Sequence, residues 1–374
     1  VRWRDREWQA TVVVIVGTAV VFAWQTVRRI VGTHRGDDPW QTGDWLINYA
    51  AGPVRRGLIG TLLGLLPGAE PARWALVGIQ TACYATIFAG AVTLFLRSTR
   101  RSGWVPLVLS PAFVLFGMFD FPGSHRKEIL GLAALAGLLW VATRSTTHPR
   151  RDGAALAATC ALYGLAVFSH ELNVLLLPAL LVALGLLRRH RPDAAGAVRR
   201  CRIVLCALAV AGGAMAVAAP GDAATAETIC ADVTARGFDP EVCDGAIRAL
   251  GADLGEAREG TYLRRFSATY VPLLALGALP LIAVPWVRRH WRLVIGQTVA
   301  ILALSALAHD HGRWIALAAS TVSLLALAGT SDGDRPPRSL PVLASVAFVV
   351  AWRLPHACIS ECDPTIWMRL GTLV

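Results

Sequence analysis

Four short stretches of this 374-residue chain carry side chains able to do chemistry, and each lies beside long apolar runs. The first is Asp44-Trp45, followed by Gly52-Pro53 and by Arg55-Arg56 ahead of Gly57 and Gly60. Asp44 is the right residue type for a general base, or for a group that orients an acceptor hydroxyl. Low-dielectric walls push a carboxyl toward neutral pKa, while neighbouring arginines keep it ionised. A helix N-cap role starting a helix at Trp45 would suit it equally. Arg55 and Arg56 suit a phosphate or pyrophosphate, because the planar guanidinium engages two oxygens at once. Snorkelling to lipid headgroups is the plainer reading of the same pair.

The second stretch is Asp120 through His125-Arg126-Lys127-Glu128, broken by Pro122 and Gly123. Three donors at the start of a helix form an anion site through charge and dipole together. Mutual pairing with Glu128 is the alternative. Lys127 is the single lysine of the chain, whose lysines and arginines number 36. The third stretch, Ser169-His170-Glu171, is a polar turn between two apolar runs, where His170 could serve as acid/base or metal ligand. The fourth, His309-Asp310-His311-Gly312-Arg313-Trp314, is the densest. His309 and His311 around Asp310 suit a divalent metal or a proton relay, with Arg313 holding an anion. No H-x-x-x-H or H-E-x-x-H spacing is present, so the metal has no motif behind it, and phosphate binding or an Arg313–Asp310 pair is preferred.

These stretches need positioning, and the composition says by what. Hydrophobic residues make up 55% of the chain and charged ones 16%. Several runs reach the ~17–25 apolar residues that cross a bilayer. The expectation is an all-α, polytopic transmembrane bundle, a single integral membrane domain over 1–374. About eleven spans are expected: 10–27, 74–96, 104–119, 129–143, 154–168, 172–187, 203–219, 268–286, 293–308, 315–328 and 340–352. Arg2, Arg4 and Arg6 place the N-terminus in the cytoplasm, and the C-terminus then falls outside. The net charge of +11 sits in short arginine clusters at span ends, a topology signal that argues for a lipid bilayer partner and no nucleic acid. Arg28 and Arg29 break the rule on the outer side, as snorkelling residues or as part of an anion site, while Trp40 and Trp45 are expected as interface anchors.

The sidedness was set by arginine placement alone, yet all four mixed-charge stretches fall on its outer side. That suggests one shared polar cavity at one membrane face. Two outer segments matter: the loop 28–72, with an amphipathic or re-entrant piece at 55–66, and 220–266, read as a helical cap to which Arg264 and Arg265 add charge. Cys230 with Cys243, and Cys358 with Cys362, lie on that expected oxidising side and read as disulfides. Cys83, Cys160, Cys201 and Cys206 fall in spans or at the inner face and read as packing.

Asp44-Trp45 with Arg55-Arg56-Gly57-Leu58-Ile59-Gly60, Arg126-Lys127-Glu128, Phe168-Ser169-His170-Glu171 and Gly312-Arg313-Trp314 together resemble bacterial polytopic proteins of envelope-polysaccharide synthesis. The neighbouring groups are the GT-C glycosyltransferases and the Wzy-type polymerases and O-antigen ligases. The resemblance implies an inner-membrane enzyme that uses a polyprenyl-phosphate-linked sugar donor at the outer leaflet and a glycan or lipid acceptor. It implies an acid in the first external loop as catalytic base, which maps to Asp44. It also implies external arginines on the lipid phosphate, which map to Arg55, Arg56, Arg126 or Arg313, and an essential histidine, His170 or His309. Lys127 joins the phosphate set, and Asp120, Glu128, Glu171, Asp310 and His311 support it. The chain departs from the resemblance in having no large C-terminal soluble domain and only a modest loop at 220–266. A transporter or flippase of an anionic lipid-linked substrate is the alternative, although no internal repeat is evident and the charges gather at one face.

Overall fold

The computed structural model describes residues 2–144, 149–251, 269–306, 310–330 and 337–356. His309, Arg264, Arg265, Cys358 and Cys362 lie outside them. The described residues form helices and turns with no strand. Six helices are long and apolar enough to cross a membrane: Asp5–His34, Ala69–Arg97, Arg151–Ser169, Glu171–His190, Pro192–Ala218 and His311–Gly329. Shorter apolar helices cover Glu128–Thr143, Val271–Ile282 and Trp291–Leu302. The chain is an all-α, multi-pass membrane protein, and it divides into two compact units.

One unit comprises Val1–Gln25, Phe88–Ser124 and Ala257–Val374. Its core gathers Ala112, Phe116, Tyr270, Leu273, Ile315, Ala316, Ala319, Trp352 and Leu354 around the fully buried helix His311–Gly329. The expected span 104–119 is not one helix. The one-turn 3-10 helix Arg101–Trp104 runs directly into Val105–Val108, and turns separate that from Phe116–Phe119. Pro111, which lacks a backbone N–H, falls in the turns after Val105–Val108, whereas Pro106 sits in that helix's first turn, where proline is tolerated. The segment is buried almost throughout, the condition under which irregular backbone is tolerated at membrane depth. The expected last span is the nine-residue helix Val342–Val350. It rises about 14 Å, well short of a bilayer core.

The other unit comprises Thr26–Ile87 and His125–Glu256. The helix Glu128–Thr143 packs on Pro149–Ser169 and on Leu177–His190, and both of those pack on Ala195–Ala218. Glu128–Thr143 is apolar and buried almost all round, so its neighbours enclose it. Ala195–Ala218 instead turns Ile203, Val210 and Val217 outward, an apolar face suited to lipid. Over one end of this bundle lie the one-turn helix Gly43–Leu46, the short helix Leu58–Gly64 and the segment from Ala223 to Gly251.

Candidate functional site

Four segments of the second unit bring charge to that end. Asp44 comes from the one-turn helix Gly43–Leu46, and Arg55 and Arg56 from the turn before Leu58. Arg126 and Lys127 precede Glu128, the first residue of its helix, and His170 and Glu171 follow the helix Pro149–Ser169. Local chemistry fixes the turns. The backbone N–H of Ile59 donates to Ser169 Oγ at 3.2 Å, which ties the start of Leu58–Gly64 to the end of Pro149–Ser169. A Cβ at Gly60 would lie 2.1 Å from the Ile47 carbonyl oxygen, so only glycine lets the two backbones approach this closely.

Asp44 is fully buried, and its Oδ2 accepts from Arg126 Nε at 3.4 Å. Its Oδ1 is buried with no hydrogen-bond donor. Burial alone would raise this carboxyl, but Arg126, Lys127, His170 and Arg56 outweigh it and hold the group well below the usual carboxylate range. Burial pulls Lys127 the other way, down to about 8, against the attraction of Asp44. Lys127 Nζ donates to the Arg56 carbonyl at 2.8 Å. Arg56 stands at φ +69°, a left-handed conformation that costs a non-glycine residue about 1–3 kcal/mol. Its guanidinium is held by Glu171, with Nε 3.0 and 2.9 Å from the two carboxylate oxygens and Nη2 2.5 Å from Oε1. Burial would lower the pKa of Arg56; the charge and hydrogen bonds of Glu171 instead raise it. The backbone strain is thus held by an ion pair on the side chain and a lysine on the carbonyl.

His170 sits behind this layer with no exposed surface. Its Nδ1 accepts from the Leu172 N–H at 3.3 Å, which leaves the ring proton on Nε2, 3.5 Å from Glu128 Oε1. Through Nδ1 the ring caps the turn Glu171–Leu176. Only the rim of the cluster reaches solvent. Arg55 is the most exposed cation, with Nη1 3.7 Å from Glu171 Oε1 and a buried Nε lacking a hydrogen-bond partner.

The expected open, charge-lined cavity is therefore closed at Asp44, because carboxylates and cations from separate segments pair with one another. A cleft of about 580 Å³ lies beside it instead, lined by Trp40, Glu227, Asp244, Gly245, Ile247 and Arg248 among others. Its walls belong to the cap: the helix Ala223–Ala235 and the turns Pro240–Asp244 and Arg248–Leu250. The expected disulfide joins Cys230 to Cys243 across it. Asn48 Nδ2 donates to Asp232 at 2.9 Å, Arg236 Nη2 to the Leu63 carbonyl at 2.9 Å, and the Ala246 N–H to the Pro39 carbonyl at 3.0 Å. The cleft meets the charged cluster through Trp40, whose ring lies 5.5 Å from the Arg126 guanidinium carbon.

Several expectations change. Asp44 does not cap a helix; it lies inside the one-turn helix, whose cap residue is Thr42. Trp45 is not an interface anchor; it is fully buried and donates from Nε1 to the His125 carbonyl at 2.8 Å. Arg29 is buried, donating to Gln80 Oε1 at 2.6 Å and to Thr42 Oγ1 at 3.2 Å, while Gln80 donates to the same His125 carbonyl. It supports the loop instead of snorkelling.

Asp120, Asp310, His311 and Arg313 belong to the other unit. There Arg313 pairs with Asp310 at 3.0 Å and lies over the Trp314 ring at 4.3 Å. Asp120 accepts from the Gly123 N–H at 3.0 Å and from His356, through its backbone N–H and through Nδ1 at 2.7 Å. Tyr270 stacks edge-on against His311 and donates to the Pro355 carbonyl at 3.2 Å. His356, Tyr270 and the cleft role of Trp40 were not visible in sequence. No motif surrounds them, and their partners lie far away along the chain.

Among the described residues no group of three or more His, Cys, Asp or Glu side chains is arranged to hold a metal ion. No curated protein and no solved structure matches the chain. A family model described as uncharacterised membrane protein Rv1490 matches residues 8–246, which include Asp44, the 125–128 and 169–171 motifs and nearly the whole cap. With that match covering well over half its length, the chain belongs to the Rv1490 membrane protein family.

Proposed function

We propose that the chain is a membrane-embedded glycosyltransferase or polysaccharide polymerase that takes a sugar from a polyprenyl-phosphate-linked donor at the outer leaflet. The observation that carries this reading is the convergence, at one end of one helical unit, of Asp44, Arg55, Arg56, Arg126, Lys127, Glu128, His170 and Glu171 from separate segments. So costly a buried charge cluster in a membrane protein is a functional-site hypothesis by default.

The step balances with the groups present. The acceptor hydroxyl oxygen bonds to the anomeric carbon, and the bond from that carbon to the phosphate oxygen breaks. Polyprenyl phosphate leaves with the electron pair and takes up the hydroxyl proton, while Asp44, held ionised by its cationic neighbours, accepts a hydrogen bond from that hydroxyl and orients it. The unpaired Oδ1 is where a hydroxyl donor would complete the carboxylate. Because Asp44 is fully buried, the segment over it opens for the acceptor to enter. Arg55, at the rim with an unsatisfied Nε, is the first contact for the donor phosphate. Arg56, Arg126 and Lys127 are engaged by protein groups and act by fixing the field around Asp44 and the leaving phosphate.

The test is transfer by the purified chain in nanodiscs, from radiolabelled polyprenyl-phosphate sugars to a glycan acceptor. Asp44→Asn should abolish it, and Arg55→Ala should raise KM for the donor. Wild-type rates in both variants would sink the assignment. Movement of labelled donor across proteoliposomes without any transfer would support a flippase instead.

A further inference from the structure

We propose that the cleft between Trp40 and the disulfide-bonded cap binds a neutral carbohydrate chain. This deepens the glycosyl-transfer reading by supplying the acceptor's subsite, but binding there is measurable without any transfer. Three observations point to a sugar. First, Trp40 lines the cleft and is 46% exposed. The negative face of an indole ring attracts the polarised C–H face of a pyranose. Second, the ring is held in place. The backbone N–H of Trp40 donates to Asp38 Oδ1 at 2.8 Å, the preceding Pro39 carbonyl accepts from Ala246, and the ring packs on Arg126. Third, Glu227, Asp244 and Arg248 are exposed around it, with Arg248 Nη2 2.7 Å from Asp244 Oδ1. Paired planar carboxylate and guanidinium groups present acceptors and donors side by side, the arrangement that vicinal hydroxyls satisfy.

The charge of the lining separates this site from the donor site. Two carboxylates face one guanidinium that is already paired, so a phosphate is repelled here and attracted at Arg55. The volume of about 580 Å³ lies in the ~300–1,000 Å³ range of ligand clefts. A glycan on Trp40 is then one indole ring and one guanidinium away from Asp44, through contacts of 5.5 and 3.4 Å.

The experiment applies the full chain in nanodiscs to a printed array of neutral and phosphorylated glycans. It then measures affinities for the retained neutral glycans by calorimetry. Trp40→Ala should weaken them at least 10-fold. Glu227→Gln combined with Asp244→Asn, two exposed positions, should do likewise. Trp291→Ala, an exposed tryptophan of the other unit, should change nothing. Monodisperse elution and an intact Cys230–Cys243 disulfide establish that each variant is folded. Absence of neutral glycan binding, a preference for phosphorylated glycans, or affinities indifferent to both cleft variants would overturn the proposal. Trp40-dependent glycan binding by wild-type protein that shows no transfer leaves the cleft standing without the enzyme. Transfer without Trp40-dependent glycan binding removes the cleft and leaves the enzyme.

Discussion

The helix Glu128–Thr143 carries a buried ion cluster at each end, and the two are built differently. At its C-terminal end, Arg144 and Arg191 both pair with the two oxygens of Asp152, and Arg191 Nη2 donates to the Arg144 carbonyl at 2.7 Å. One carboxylate there staples three chain segments, and both its oxygens are used. At the N-terminal end, about 24 Å away along the axis, one oxygen of Asp44 makes a single long contact and the other has no donor. A lysine lies fully buried and an arginine adopts a positive φ. A staple reaches its best geometry, whereas a site keeps groups unsatisfied for a substrate to complete.

The sharpest way to break that contrast is to neutralise the central carboxylate at each end. Asp44→Asn and Asp152→Asn both leave buried guanidiniums without their anion, and each should cost about 3–5 kcal/mol in unfolding. Only Asp44→Asn should abolish transfer in the protein that remains folded, by about 100- to 10,000-fold. Thermal unfolding in nanodiscs followed by single-turnover transfer separates the two quantities. Loss of transfer in both variants would mean that Asp44 is a second staple.

Next in size is the rim. Arg55→Ala removes a partly exposed cation, so stability should change by less than about 1 kcal/mol. The transfer kcat/KM should fall about 10- to 100-fold, through KM for the donor. Arg144→Ala at the other end should do the reverse, lowering the unfolding temperature with the donor KM unchanged.

Lys127 supplies a pH signature that the Asp152 end lacks. Its folded value is lowered to about 8 from an ordinary 10.5. Between those values the unfolded chain holds the proton and the folded chain does not, so stability rises with pH through this window. Transfer should move oppositely and fall above about pH 8, as the cluster loses a cation. Lys127→Met should flatten the stability slope. A stability slope unchanged in Lys127→Met would show that another group titrates there.

The sequence made the membrane helices legible, because ~20-residue apolar runs are decided by hydropathy alone. It missed the broken segment 104–119 because hydropathy registers the apolar side chains and overlooks Pro111, which was there to be read. It marked Arg56 and Glu171 as chemically interesting but could not pair them, since 115 residues separate them and only the packed helices bring them together. Trp45 failed for a related reason. Aromatic-belt statistics describe tryptophans in general, whereas this one is buried by a carbonyl 80 residues away. Cys230 and Cys243 succeeded because their short spacing within one outer segment made pairing a local matter.

The smallest expected effect concerns how the cap supports the Asp44 end. The disulfide closes a loop with a sequence separation of 13, so its loss would release about 3 kcal/mol of chain entropy at most. Contacts outside the disulfide remain to hold the cap, among them Asn48 with Asp232, Arg236 with the Leu63 carbonyl, Ala246 with the Pro39 carbonyl and the Asp239 N–H with Asp37. The Cys230→Ser, Cys243→Ser variant should therefore stay folded and lose only about 2- to 5-fold in transfer, on the order of 1 kcal/mol. Amide exchange should rise across 223–251 and across 38–48, because the Pro39 carbonyl and the Trp40 ring lose a rigid neighbour. Exchange around 142–152 and 190–194 should not change, since the Asp152 staple is built from helix ends that the cap does not hold. Equal loosening at both ends would show that the two clusters unfold as one element, and the division between site and staple would then have no physical basis.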